Sequence, residues 1–537
     1  MRPATTIPGL EALIGLALLL PAQSALSAED AVTAAAQKNF GEYLELLAIE
    51  NIADKPEDMR RNASFLKGAF EKRGFSTRLL ENPAGRPLVL GQSEAAAAGA
   101  KTILFYIHFD GQPVIPEKWT QKSPFRPVLK KRNAEGKWHE VDRELLLAKP
   151  LDPELRVFAR SASDDKAPIV MFLTAMDLLA AERKLPSVRV KVILDSEEEI
   201  SSPSLPGVIA AARPLFDADA LVVLDGPIHA SGRPTLVFGN RGLTQATLTV
   251  YGPKSAAHSG HYGNYIPNPA MRLASLLASM KGDDGRVLIA GYYDGVRLTA
   301  EDRSILAAAG DDEPALRKRI GIAQPEKVGG SLQESLQYPS LNVRGMAAAA
   351  VGPQAANIIP AEAVAELDLR TAPETDGRRL FELIRRHVEG QGYHLVDGLP
   401  SDADRARYDK LASLKLGPVQ AAARTAMDSP VGRWALAALK AADGAELISE
   451  PVRIRMMGGT VPTDVLVDAL HLPFILVPTV NPDNNQHSHD ENLRIGNFIS
   501  GTRIIRSLLT TPWPSPGSRK MGRYDDGGGA SDPAAGE

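Results

Sequence analysis

A mostly parallel α/β sheet sandwiched by helices, interrupted by a smaller α+β unit, is the fold class this sequence predicts, and three observations carry it. The runs KTILFYIHFD (101–110), SVRVKVILDS (187–196), ADALVVLDG (218–226) and LPFILVPTV (472–480) are close to continuously apolar, as strands covered on both faces must be. Helical segments lie between them, KAPIVMFLTAMDLLAAERKL (166–185) and LPGVIAAARPLF (205–216), in the strand–helix order of a buried parallel sheet. From residue 242 the period changes: LTQATLTVYGP and NIIPAEAVAELDLR (357–370) alternate apolar and polar residues, the pattern of half-exposed antiparallel strands.

In chain order, Arg2, the apolar stretch 12–20 and the small residues of Ala25-Leu26-Ser27 predict a secretory leader over residues 1–28. The apolar stretch is shorter than the roughly 18 residues a membrane span needs, so no stable membrane insertion is expected. FGEYLELLAIEN and MRRNASFLKGAFEKRGF have helical periodicity. They open the first part of the larger α/β domain, 29–241. Residues 242–425 form the inserted unit, which includes the amphipathic RRLFELIRRHVEGQGY. The α/β character returns over 426–512 with SPVGRWALAALKAADG, the last apolar strand and the closing helix IGNFISGTRIIRSLLT. The Gly/Pro/Ser-rich tail, 513–537, is expected to be disordered.

The chain has 537 residues, 44% hydrophobic and 23% charged, with a net charge of −4. That balance gives no basic footprint for nucleic acid or an anionic membrane. There is no cysteine, so any metal must be held by oxygen and imidazole ligands. Together with the leader, this points to a periplasmic or secreted protein.

Ligands of open α/β sheets bind beyond the carboxyl ends of the strands, and the ionisable residues concentrate there. His108 ends the first apolar strand, and Asp110, two residues on, projects to the same face. A metal-binding imidazole commonly donates its second N–H to such a carboxylate, although a strand-end histidine satisfied by its neighbours fits equally well. ARSASDDKAP (159–168) places Asp164 beside Asp165 at a helix start, where N-capping alone would account for them. VILDSEEEISSP (192–203) puts three glutamates after a buried strand. Their mutual repulsion there calls for a cation or a raised pKa. Asp225 ends LVVLDGP, and NPDNNQHSHDEN (481–492) brings His487 and His489 after the last strand. A turn aspartate and a surface loop are the plain alternatives. As a set, these residues suit a pair of divalent ions, Zn²⁺ first, with Mn²⁺ or Co²⁺ as alternatives.

The order HFDGQP, ASDDK, EEISS, VLDG, QHSHDEN resembles the M20 metallopeptidase family, near its dipeptidase, carnosinase-like branch. The resemblance runs from about residue 35 to 510. KWTQKSPFRPVL, GPKSAAHSG, PSLNVRG and MMGGTVP look like further segments of that branch.

The resemblance implies a zinc-peptidase-like catalytic domain carrying a ferredoxin-like lid through which the chain could form a homodimer. It implies that Asp164 bridges two ions, with His108 and Asp225 completing one, and Glu199 and His487 the other. Glu198 would be the general base and Asp110 the partner of His108. His258 would stabilise an oxyanion across a dimer, and Asn357, Arg370 and Thr460 would hold the substrate carboxylate. Glu197 falls outside the matched pair, and Ser201 stands where relatives have Gly. The activity implied is hydrolysis of an amide bond in small peptides with a free carboxylate, with N-acyl-amino-acid deacylation as the alternative. The stretch LKKRNAEGKWHEVDRELLLAKPLDPELRV is longer than the corresponding loop and could form a hairpin at the site mouth.

Overall fold

The computed structural model describes residues 20–442, 450–459 and 463–514. The expected leader lies outside the described residues up to residue 19, and its last residues begin the helix Leu20–Ala48. Thr460 and the tail from residue 515 also lie outside them.

The large sheet has eight strands, and its centre is parallel. Arg189–Asp195, Thr102–His108, Ala220–Val223 and Phe474–Leu476 lie side by side, all pointing the same way. These are the four runs whose continuous apolarity marked them as buried. In register, His108 stands opposite Asp195 and Tyr106 opposite Val223, so the carboxyl ends of neighbouring strands form one row. The edges are less regular. Ser76–Leu80 and Leu88–Ser93 add an antiparallel pair on one side. Thr235–Val237 joins antiparallel to the last central strand and parallel to Val452–Ile454 on the other. These edge strands are short, and their sequences lack a decisive period.

The helix Lys166–Ala181 is buried on nearly every face, as its uniformly apolar sequence requires. It packs against Leu20–Ala48 and the closing helix Ile495–Thr510. Phe172 from it meets Phe70, Phe75 and Phe105 in one aromatic cluster. Among the described residues, no helix is long and apolar enough to cross a membrane.

The chain leaves the large sheet after Thr235–Val237 and rejoins it at Val452–Ile454. Between them lies a five-stranded sheet ordered Ser340–Ala347, Glu362–Thr371, Gly242–Tyr251, Leu411–Gln420, His394–Leu395. Gly242–Tyr251 and Glu362–Thr371 alternate buried and half-buried residues along their length, which is the period of two read from the sequence. The helices Pro269–Met280 and Gly377–Gly390 cover the buried face through Leu273, Leu276, Leu380 and Ile384.

A further segment of this insertion, with helices Ala300–Ala308, Glu313–Ile320 and Leu332–Ser335, reaches back to the large sheet. There Arg455 Nη1 donates to Gln337 Oε1 at 2.9 Å and its Nε lies 3.1 Å from Asp302 Oδ1.

The long stretch before residue 157 does form a hairpin, Val128–Arg132 with Trp138–Val141. It continues through Arg156–Phe158 into Asn492–Arg494 as a four-stranded sheet. The hairpin therefore braces the segment that follows His487. Lys130 Nζ donates to Thr120 Oγ1, and Thr120 in turn donates to Asp490 Oδ1.

Candidate metal centre

His108, Asp225, Glu198, Glu199 and His487 enter the site from the end of a central strand or the segment after it, and Asp164 from the turn that opens a buried helix. His108 ends Thr102–His108, and Asp225 follows Ala220–Val223 by two residues. Glu198 and Glu199 open a 3-10 turn after Arg189–Asp195. Asp164 lies in the turn before Lys166–Ala181, and His487 in the loop after Phe474–Leu476. Adjacent parallel strands bring these ends together although the residues span most of the chain.

The structure gathers them into two groups that share Asp164. His108, Asp164 and Asp225 offer ligand atoms within 4.8 Å of one another, and so do Asp164, Glu199 and His487. His108 Nε2 lies 2.9 Å from Asp164 Oδ1, and His487 Nε2 lies 3.0 Å from Asp164 Oδ2 and 3.2 Å from Glu199 Oε2. The two oxygens of Asp164 thus face different histidines, as a bridging carboxylate needs. Glu198 belongs to neither group, but its Oε2 is 4.0 Å from His108 Nε2.

The electrostatics show the same crowding. Burial pushes Asp225 up to about 7, and nearby Asp164 adds to the rise. Burial also lifts Glu198 well above the usual carboxylate range. His108 opposes that shift, while Asp225, Asp164 and Glu199 reinforce it. Burial alone would raise Asp164, but hydrogen bonds from His108 and His487 outweigh it and hold this carboxyl low. His487 is pushed up to about 10 by its hydrogen bonds to Asp164 and Glu199. Carboxylates packed this closely keep their negative charge only if cations neutralise it. Oxygen and imidazole donors in two groups sharing one carboxylate fit a pair of divalent ions.

Asp110 supports the cluster from behind. Its Oδ1 is 3.3 Å from His108 Nδ1 and accepts from the Glu198 N–H at 3.1 Å, and its Oδ2 accepts from the Glu199 N–H at 3.0 Å. One buried carboxylate therefore orients an imidazole and the backbone of both glutamates. Glu197 is turned away from the centre. Its Oε1 accepts from Arg86 Nη1 at 3.0 Å and its Oε2 from the Ser204 N–H at 3.0 Å. This splits the acidic run between a structural ion pair and the site. Ser201, at φ 69°, holds the left-handed conformation that glycine takes more easily. His489 is exposed and outside both groups.

Several supporting residues carried no local signal. Glu491 is fully buried. Its Oε1 accepts from the N–H groups of Ser163 and Asp164, each at 2.9 Å, while Oε2 accepts from the Ser161 N–H at 2.9 Å and Arg160 Nη1 at 2.8 Å. It fixes the turn that presents Asp164. Gln112 Nε2 donates to Glu199 Oε2 at 2.7 Å, and Gln486 Nε2 reaches Asp164 Oδ2 at 3.4 Å. Lys166, also buried, donates to the carbonyls of Leu46 and Ile49, each at 2.8 Å, closing the end of the first helix.

Glu491→Ala leaves Arg160 buried without its carboxylate, at an expected cost of about 3–5 kcal/mol. The midpoint of urea denaturation reads this directly, and an unchanged midpoint would deny Glu491 its bracing part.

The residues of the insertion are not drawn into the cluster in the same way. His258 is exposed and paired across a short ladder with Ile358. Its Nδ1 accepts from the Gly260 N–H at 3.0 Å, and its ring lies 4.6 Å from that of His261. Asn357 is exposed beside it, its carbonyl accepting from the Ser259 N–H at 3.0 Å. Arg370 stands opposite Leu243 and Ser340, with Nε 3.6 Å from Asp368 Oδ1.

Comparison with known proteins agrees with this geometry. The model of peptidase family M20/M25/M40 matches residues 104–511. The Cys-Gly metallodipeptidase dug1 of Schizosaccharomyces pombe is 26% identical over 433 residues, covering 78% of this chain and 81% of that protein. The human Beta-Ala-His dipeptidase is 25% identical over 418 residues, covering 76% of this chain and 74% of its own length. The solved structure of an M20 family metallo-carboxypeptidase from Sulfolobus solfataricus superposes with a TM-score of 0.68 at 26% identity, over 88% of this chain and 98% of that one. With the matched region spanning every strand end that builds the centre, the chain belongs to peptidase family M20/M25/M40 and is a metallopeptidase, a hydrolase.

Proposed function

We propose that this protein is a dinuclear metallodipeptidase that cleaves the amide bond of small peptides with a free carboxylate. The observation that carries the reading is the pair of ligand groups sharing Asp164, with Glu198 beside them and in neither. The dipeptidase names of the relatives in Schizosaccharomyces pombe and human support the substrate class.

Divalent ions, Zn²⁺ first and Mn²⁺ or Co²⁺ as alternatives, would be held by His108, Asp164 and Asp225 and by Asp164, Glu199 and His487, and supply Lewis-acid polarisation and a more acidic water. Glu198, raised by burial, is matched to taking a proton from that water and delivering it to the departing nitrogen. Asp110 keeps His108 in one orientation and fixes the backbone of both glutamates. Arg370, with Asn357 and Thr460, would bind the substrate carboxylate and so position the scissile bond. A panel of dipeptides, N-acetyl and N-carbamoyl amino acids, run on the metal-loaded protein with a chelator control, tests the reading. Turnover confined to the acyl amino acids would replace it with deacylation.

We extend the proposal to a homodimer in which the insertion of one protomer presents His258 to the other's site. Mixing His258→Ala with Glu198→Gln, each inactive alone, should then restore about a quarter of wild-type turnover by random pairing. No recovery would place His258 outside the reaction. The leader read at residues 1–28 and the absence of cysteine support an exported enzyme, which the mass of the mature N-terminus tests.

A further inference from the structure

Beside the centre lies a cavity of about 210 Å³ that the chemistry above leaves unused. Asp225 forms one wall, so the cavity begins at a group that also belongs to the His108 and Asp164 cluster. Most of the remaining surface is apolar: Val237, Ile454 and Leu476 from the large sheet, Met457 from the turn after it, and Leu336 from the insertion.

The polar side chains in its lining are mostly engaged elsewhere. His229 Nε2 is 3.1 Å from Asp311 Oδ1 and its Nδ1 is 2.8 Å from Ser231 Oγ, while Thr235 Oγ1 donates to the Arg233 carbonyl at 3.0 Å. Gln333 Oε1 is buried and has no hydrogen-bond partner, which leaves one acceptor for an N–H group. Among the described residues, no lysine or arginine lines the cavity. A carboxylate placed there would lose its hydration with no lysine or arginine to pair with, and a cationic side chain would lose its hydration among aliphatic groups.

We propose that this cavity receives an apolar side chain of the residue on the acyl side of the scissile amide, making the protein selective for substrates with a Leu-like residue there. This rests on the amide-hydrolase reading given above. The carbonyl under attack must lie at the centre, next to Asp225. Of the residues matched to the free carboxylate of the leaving residue, Arg370 and Asn357 are not among the cavity's residues, and Thr460 lies outside the described residues. The acyl-side group is therefore the one that extends into the apolar space. Leu336 sets its depth. A Cβ added at Gly458 would come within 3.2 Å of Leu336 Cδ2, so the insertion closes tightly on the turn here, and the size of residue 336 controls the room left.

The test is kcat/KM of the full-length, metal-loaded protein on Gly-Gly, Ala-Gly, Leu-Gly, Phe-Gly, Glu-Gly and Lys-Gly. Leu-Gly should exceed Ala-Gly by about ten- to a hundredfold, with Glu-Gly and Lys-Gly below both. Leu336→Phe should bring the Leu-Gly to Ala-Gly ratio down to one or lower, and Leu336→Ala should move the optimum towards Phe-Gly. A ratio that neither variant changes, including an equal loss on every substrate, overturns the proposal.

Calorimetric titration of L-leucine and glycine into metal-loaded wild type and Leu336→Phe separates this from the hydrolase reading. Leucine binding that is preferred in wild type and weakened in the variant, without hydrolysis of any amide, would keep the cavity and remove the hydrolase reading. Hydrolysis with no apolar preference would do the reverse.

Discussion

Glu198→Gln is expected to keep both ions and the fold while losing about a hundred- to ten-thousandfold in kcat, the usual worth of a general base. The substitution is nearly isosteric. The side chain is outside both ligand groups, and what it contributes to the local backbone, the N–H donated to Asp110, is retained. The loss should fall on kcat with little change in KM, because the interaction is made to a proton in flight and not to the bound ground state. Elemental analysis and steady-state kinetics on the same preparation read both halves. Turnover near wild type, or two ions lost, would remove Glu198 from its proposed role.

Asp164→Ala should abolish activity by a different route. Asp164 is common to both groups, and its removal leaves each with one imidazole and one carboxylate. Both ions should be lost together, where a substitution at Asp225 or Glu199 would strike one. Occupancy measured by elemental analysis is the first readout. Melting is the second. Saturating metal stabilises a folded protein by about 2.7 kcal/mol at a hundred times Kd, and the resulting rise in Tm should be present in wild type and absent in Asp164→Ala. Full occupancy in the variant would end the bridging assignment.

Most of the centre could be read from the sequence because its residues sit in short motifs at the ends of continuously apolar strands. Strand polarity and the parallel order then fix where those ends lie. The resemblance implied His108, Asp164, Asp225, Glu199 and His487 as the ligand set, and the strand ends explain why these residues meet. The bracing residues depend on partners far away in the chain. Glu491 serves a turn more than three hundred residues before it, and no spacing rule links the two. Spacing alone does not set Glu197 apart from its neighbours; the resemblance left it outside the matched pair, and its ion pair with Arg86 supplies the physical reason. The short edge strands Ser76–Leu80 and Thr235–Val237 carry too few residues to display a period. The segment with helices Ala300–Ala308 and Glu313–Ile320 is exposed over much of its surface, so burial left little imprint on its composition. Thr460 lies outside the described residues, and His258 and Asn357 are exposed and outside both ligand groups.

The clasp of Glu491 on the Ser161–Asp164 turn also bears on how the protein is made. A chain still on the ribosome carries His108, Asp164, Glu199 and Asp225 long before His487 and Glu491 emerge. Until that late segment docks, the group of Asp164, Glu199 and His487 lacks its imidazole and the turn that carries Asp164 lacks its clasp. Under the proposed dinuclear reading, filling of both ligand groups, and the hydrolysis that depends on it, requires the completed polypeptide.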